Sequence, residues 1–121
     1  MEITLKAIIQ AVPALNKLAD GDLPLPLAYK LSKTLKSLQE EIDFFNDERA
    51  KVIAKHGGEL RRDRIVFRDA EGAGELEKIL DLTVNPDVEK IVAPIFENIR
   101  LSAHDVTALE PFVEFVEVDD G

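Results

Sequence analysis

The feature that most restricts the fold of this chain is the run between Pro26 and His56, which contains neither glycine nor proline. Its apolar residues recur at alternating steps of four and three, the 3.5-residue period of a helical seam, with Arg49 as the one polar interruption. Gly57 and Gly58 supply the stop. The pattern predicts one helix of about 30 residues, spanning about 45 Å at a rise of about 1.5 Å per residue.

A helix of that length exceeds the diameter of a compact globule of 121 residues, which is about 35 Å. A first helix over roughly residues 3–19 therefore covers only the beginning of the seam. The remainder needs the second half of the chain or a second subunit as cover, and we expect a homo-oligomer if the second subunit supplies it. The candidate oligomer or partner interface consists of Leu38, Ile42, Phe45, Arg49 and Val52.

The first helix is predicted from apolar residues at helical spacing, namely Leu5, Ile8, Val12 and Leu15. Pro13 falls inside it, removes one backbone hydrogen bond and crowds the carbonyl group of Ile9, so we expect a kink or a break near Val12. Asp20-Gly21-Asp22 ends this helix. Pro26 suits the first turn of the next one.

The second half, residues 57–121, has mixed periodicity. Its predicted elements are a strand over 64–68, a short helix capped by Asp69, strand, turn and strand over 82–91, a helix over 103–110 capped by Ser102, and a strand over 112–118. We expect Ala103, Val106 and Leu109 to form the buried face of the second short helix. The predicted fold class is therefore α+β in a single domain: an N-terminal helical hairpin over 1–56, then a small β-sheet with two short helices.

The net charge of −9 lies entirely in the second half, because residues 1–56 carry eight basic and eight acidic side chains. So acidic a chain is a poor ligand for duplex nucleic acid or an anionic membrane. The lack of cysteine excludes disulfides and thiolate metal sites. We expect no metal and no cofactor, with His56 and His104 facing solvent. No serine lies in a nucleophile turn, so we expect no enzyme.

Four arginines interrupt the acidic half, and they form the candidate ligand-binding group: Arg61, Arg62, Arg64 and Arg68. Arg62, Arg64 and Arg68 share parity, so a strand that runs through all three would project them from one face. Guanidinium forks suit phosphates and carboxylates, which makes a small anionic nucleotide a candidate ligand. The alternative is local pairing of these arginines with neighbouring acidic residues.

Several segments resemble a family of small proteins, without an assigned activity, encoded by tailed phages and prophages of Gram-positive bacteria. They are Leu23-Pro24, Ala28-Tyr29-Lys30-Leu31, Ile65–Asp69 with Glu71-Gly72, Leu101-Ser102 and Leu109-Glu110-Pro111-Phe112. Pro13 and Pro26 depart from the family's pattern. Because that family has no assigned activity, no residue inherits a role from it.

The resemblance implies a context, namely an accessory protein made in the host cytoplasm that acts by binding. We expect it to bind and neutralise a host component, either a defence protein or a nucleotide immune signal. One alternative is an assembly or scaffolding helper whose long helix binds a phage protein. A second is an acidic DNA mimic that inhibits a nucleic-acid-binding enzyme.

Overall fold

The computed structural model describes residues 1–61 and 64–117. The elements in chain order are β1 (Ile3–Thr4), α1 (Leu5–Ala19), α2 (Leu25–His56), β2 (Glu59–Arg61), β3 (Arg64–Val66), α3 (Ala70–Leu80), β4 (Thr83–Val84), β5 (Ile91–Pro94), α4 (Ala103–Leu109) and β6 (Val113–Val116). This arrangement confirms the predicted α+β class, with a helical hairpin followed by mixed elements.

The long helix α2 runs for 32 residues without interruption. Pro26 lies in its first turn, and Gly57, at φ +67°, ends it in the left-handed conformation that glycine adopts without a Cβ clash. Two parts of α2 are distinguished below: the core end, 25–38, and the distal end, 45–56. At about 1.5 Å per residue the helix is about 48 Å long, so the two ends meet different neighbours.

Helix α1 continues through Pro13, so the predicted break near Val12 is wrong. Pro13 faces solvent, while Ala11, Ala14 and Leu15 on either side of it are buried. Burial of that face holds the helix together despite the missing N–H group, because packing of an apolar stripe outweighs the local propensity of one residue.

The main core lies between α1, the core end of α2, β5, α4 and β6. Its largest fully buried side chains are Phe112, Leu5, Ile8, Leu15, Leu38 and Leu109. Helix α1 contacts both α2 and α4, and α3 packs on α2. The two halves that the sequence predicts as layers therefore interlock through their helices.

The single small sheet expected from the sequence is replaced, in the described residues, by three two-stranded pairs. β1 pairs antiparallel with β4, β2 antiparallel with β3, and β5 parallel with β6. Of the expected strand, turn and strand over 82–91, the first strand is Thr83–Val84, whereas the second begins only at Ile91 and does not pair with the first. The N–H group of Ile91 donates to the carbonyl of Phe112 at 2.8 Å, which places β5 beside the C-terminal strand instead of β4.

Both short helices begin at the predicted caps. The Asp69 carboxylate accepts from the N–H group of Gly72, and Ser102 and Asp105 form a capping box at the start of α4. Of the three residues predicted to form the buried face of α4, Leu109 is buried, whereas Ala103 and Val106 are exposed. Seven residues make barely two turns, and only the last of them reaches the core.

Candidate binding surfaces

The arginine group lies at the β2–β3 hairpin, beyond the distal end of α2. Arg61 and Arg64 are exposed and directly opposite each other in the antiparallel register, and Arg62 lies outside the described residues. Two like charges facing each other across a strand pair repel. A contact of 3.1 Å between Arg61 Nη2 and Glu59 Oε2 offsets part of this repulsion. It is an instance of the local pairing with acidic residues that is the alternative to ligand binding.

Arg68 does not share a strand face with Arg64, contrary to the parity argument. β3 ends at Val66, two residues before Arg68. The Arg68 side chain instead crosses the backbone turn at Gly57, where an added Cβ would lie 3.0 Å from both Cδ and Nε of Arg68. Arg61 and Arg64 therefore lie together on the hairpin, and Arg68 lies at the Gly57 turn.

The five candidate interface residues of the long helix lie on its inward side. Leu38, Phe45 and Val52 are buried by the single chain, and Ile42 and Arg49 are half-buried. The Arg49 guanidinium lies 5.6 Å from the centroid of the Phe45 ring, within cation–π range. The second half of the chain thus supplies the cover that this seam needs. Homo-oligomerisation stays a prediction, and these buried side chains are not free to carry it.

His56 is buried, so the expectation that it faces solvent is wrong; His104 is exposed as expected. The Gly57-Gly58 turn reverses the chain, and α3 returns over the last turn of α2. At Gly72 the backbone of α3 lies so close to α2 that an added Cβ would be 2.8 Å from the Cβ of His56.

The imidazole of His56 sits between two carboxylates of the second half. Nδ1 lies 3.2 Å from Asp69 Oδ1, and Nε2 lies 3.1 Å from Glu75 Oε2. The second contact has ion-pair distance without hydrogen-bond direction, because the buried Nε2 makes no hydrogen bond among the described residues. Lys55 Nζ lies 3.2 Å from Glu75 Oε1. We call His56, Asp69, Glu75 and Lys55 the charge cluster; it ties α2 to α3.

The charge cluster favours the ionised form of both carboxyl groups. The N–H group of Gly72, and then His56, lower the pKa of Asp69 below its ordinary value. Lys55 is the main cause that lowers the pKa of Glu75, with His56 contributing. A similar effect operates at α4, where Lys17, 2.6 Å away, and the backbone of Ser102 lower the pKa of Asp105.

A cleft of about 410 Å³ opens beside the core end of α2, and we call it the lysine cleft. It is lined by Lys30, Lys33, Thr34 and Ser37 of α2 and by Asp87, Val88, Glu89, Lys90 and Ile91 before and at the start of β5. Lys30 and Lys33 are exposed on α2. Their spacing of three marks a shared side of the helix, but nothing local indicates that Lys90 joins them.

A second concave surface, the apolar groove, has a volume of about 320 Å³. Its lining is Ile95, Phe96, Ile99, Leu101, Val106 and Phe115. Ile95 is 59% exposed and Val106 is 42% exposed. The signal for this groove was present in the sequence as four apolar residues between 95 and 101 that fit neither a helical nor a strand period.

Comparison with known proteins finds no matching family model, no matching curated protein and no matching solved structure. Within the described ranges, no helix has the length and apolar character needed to cross a membrane. In the same part of the chain, no group of three or more His, Asp or Glu side chains is placed to hold a metal ion.

Proposed function

We propose that this protein acts by binding, without catalysis, and that the apolar groove is the surface that docks on a partner protein. The observation that carries the proposal is the exposure of Ile95 and Val106 at a concave site whose lining residues are all apolar. Apolar side chains that are exposed together in a concave surface with charged residues nearby are a feature of interaction sites. The central, desolvated part of an interface is where apolar side chains contribute most to affinity.

The charges of the chain segment that supplies the groove favour a basic partner. Glu97, Glu110, Glu114 and Glu117 are exposed in this part of the chain, against one basic residue, Arg100. Asp105 is already paired with Lys17. Complementary charge at the rim of an interface accelerates association and selects the partner. The fitting partner therefore presents apolar side chains surrounded by lysine or arginine.

The biological setting of the proposal comes from the resemblance to phage-encoded proteins. In that setting the partner is a host component, such as a defence protein that the phage neutralises, and the place of action is the host cytoplasm. The acidic composition and the apolar groove support an inhibitor that occupies a basic surface of its target.

The test is quantitative affinity capture from host cells with three forms of the protein: wild type, Ile95→Asp and Leu25→Asp. Leu25 is the matched control, because it is also apolar and is 81% exposed, but lies at the start of α2. We expect one set of captured proteins to be retained by Leu25→Asp and lost with Ile95→Asp, with binding that weakens as salt increases. Equal capture by wild type and Ile95→Asp would refute the groove as the docking surface.

The assembly helper is a second candidate, favoured by the exposure of Leu25 and Tyr29 at the first turns of α2. If the long helix binds a phage structural protein there, Leu25→Asp is the variant that loses the partner and Ile95→Asp retains it. The same experiment thus separates the two functions, because each uses a different exposed apolar position.

A further inference from the structure

The lysine cleft brings together cationic side chains that are distant in sequence. Lys30, Lys33, Thr34 and Ser37 follow the spacing of one helix face, so their side chains point to the same side of α2. The segment 87–91 forms the opposite wall and supplies Lys90. Three lysines therefore line one volume in the half of the molecule where the sequence draws no attention to anion binding.

No carboxylate of the described residues neutralises these lysines. The ion pairs within 4.0 Å in residues 1–61 and 64–117 involve other side chains, even though Asp87 and Glu89 line the same cleft. Lys33 Nζ instead lies 5.2 Å from the centroid of the Tyr29 ring. The three lysines outnumber the two carboxylates of the cleft and form no ion pair with them, so the lysines are available to a bound anion.

The lining of the cleft also includes a buried hydroxyl residue. Thr34 is 6% exposed, and within the described chain it and His56 are the two buried polar residues. His56 has carboxylates beside it, whereas Thr34 borders the cleft. A hydroxyl that lines a cleft can donate a hydrogen bond to a group bound there. Ser37, one turn further along, adds a second hydroxyl.

We propose that the lysine cleft binds a small organic phosphate of nucleotide type. The phosphate group would lie among the three ammonium groups and accept hydrogen bonds from Thr34 and Ser37. A volume of about 410 Å³ corresponds to about 14 water molecules at about 30 Å³ each, which leaves room beyond a phosphate group. Asp87 and Glu89 would accept hydrogen bonds from hydroxyl or amino groups in the rest of the ligand.

This inference is independent of the proposed function, because the lysine cleft and the apolar groove share no residue. The lysine cleft is also a different site from the arginine group, which is the candidate for an anionic ligand in the sequence. The arginines lie on the β2–β3 hairpin and at the Gly57 turn, outside the lining of the cleft.

The test is an NMR titration of the full chain with three probes: adenosine monophosphate, adenosine and inorganic phosphate. We expect adenosine monophosphate to shift the amide signals of residues 30–37 and 87–91 at millimolar concentration or below. Adenosine should leave them unchanged, and inorganic phosphate should bind the same residues at least about tenfold more weakly, because it makes fewer contacts. Equal affinity for phosphate and adenosine monophosphate would overturn the organic ligand, and no shift with either would overturn the site.

Matched variants locate the binding. Lys30→Gln/Lys90→Gln removes two charges from the cleft, and Arg64→Gln/Arg68→Gln removes two from the arginine group. We expect the lysine pair to weaken adenosine monophosphate binding about a hundredfold, at about tenfold for each charged hydrogen bond, and the arginine pair to leave it within about twofold. The reverse result would assign the ligand to the arginines and refute the lysine cleft.

Thr34→Val addresses the buried hydroxyl separately from folding. The two side chains have nearly the same shape, so we expect an unchanged or raised melting temperature for the free protein. Affinity for adenosine monophosphate should fall by about tenfold, since a hydrogen bond to a charged group is lost. A variant that melts as wild type does and binds with undiminished affinity would exclude the hydroxyl as a ligand contact and contradict the proposed geometry.

Discussion

The two ends of helix α2 are buried by different physical means. At the core end, Leu31 and Leu38 pack into an apolar cluster built from α1, β5, α4 and β6. At the distal end, Phe45 and Val52 are buried outside that cluster, and His56 closes the row with two carboxylates beside its ring. The core end of α2 is therefore buried by apolar side chains, whereas the distal end finishes at the charge cluster.

The difference concerns what each end requires of its neighbours. Apolar packing depends on volume and tolerates many combinations of side chains. The distal end depends on a close backbone approach at Gly72 and on ionised carboxyl groups, and both are specific to a few atoms. We therefore expect mutations in the core to lower global stability, and changes at the distal end to detach α3 while the core stays folded.

The largest expected effect is that of Phe112→Ala. Phe112 is fully buried in the main core, so truncation removes apolar contacts and leaves a cavity that costs about 3–5 kcal/mol. The free energy of unfolding is measured by urea denaturation followed by circular dichroism. Phe44→Ala is the control, because Phe44 is 43% exposed, and its truncation should change stability by about 0.5 kcal/mol or less. Similar losses in both variants would show that the main core does not dominate stability.

The next effect separates two glycines of α3. A Cβ at Gly72 would lie 2.6 Å from Cδ1 of Phe67, whereas a Cβ at Gly74 meets no atom within 4 Å. We expect Gly72→Ala to destabilise by about 1–3 kcal/mol through overpacking. Gly74→Ala should stabilise by about 0.5–1 kcal/mol, because alanine is the better helix former.

Hydrogen exchange tests whether the Gly72→Ala effect is local. Amide protection should fall in α3 and in the last turn of α2, while α1 retains the protection of wild type. A uniform loss of protection along the chain would contradict the contrast between the two ends, because it would mean that α3 and the main core unfold as one unit.

The parts of the fold that sequence predicts well are those decided within a few residues. The start and end of α2 follow from Pro26 and Gly57, and the starts of α3 and α4 from Asp69 and Ser102. In each case a side chain or a backbone conformation satisfies groups one turn away. Local chemistry is therefore sufficient to predict where these helices begin or end, and the structure confirms these boundaries.

What sequence reasoning missed depends on partners far along the chain. Ile91 lies opposite Val113 of β6 and does not pair with β4, and His56 is buried only because α3 folds back on it. Lys90 belongs to the candidate phosphate site only because its segment lies against Lys30 and Lys33. The periodicity of a sequence does not indicate such long-range contacts. The arginine group, in contrast, is conspicuous in the sequence, yet its described members lie at two separate places on the surface.

The smallest expected effect is a difference in acid sensitivity between the two ends. Asp69 and Glu75 have a lowered pKa in the folded chain, so the unfolded chain takes up protons first as the pH falls below about 4.5, the ordinary value for glutamate. Protons bound preferentially by the unfolded state lower stability, and the loss continues until the folded carboxyl groups protonate as well. Above that window the stabilising contribution is fully present.

Asp105 provides the comparison at the core end, because its pKa is also lowered, by Lys17 and the backbone of Ser102. Protonation of Asp105 releases an exposed lysine, whereas protonation of Asp69 and Glu75 leaves the buried ring of His56 without an ionised partner. A buried polar ring that loses its ionised partners costs more than an exposed lysine that returns to water. At pH 3 we therefore expect hydrogen exchange to accelerate in α3 before α4.

Asp69→Asn/Glu75→Gln should flatten the dependence of α3 protection on pH between 3 and 5, and Asp105→Asn should leave it unchanged. If Asp105→Asn flattened it equally, the charge cluster would have no special part in holding α3 to the distal end of α2.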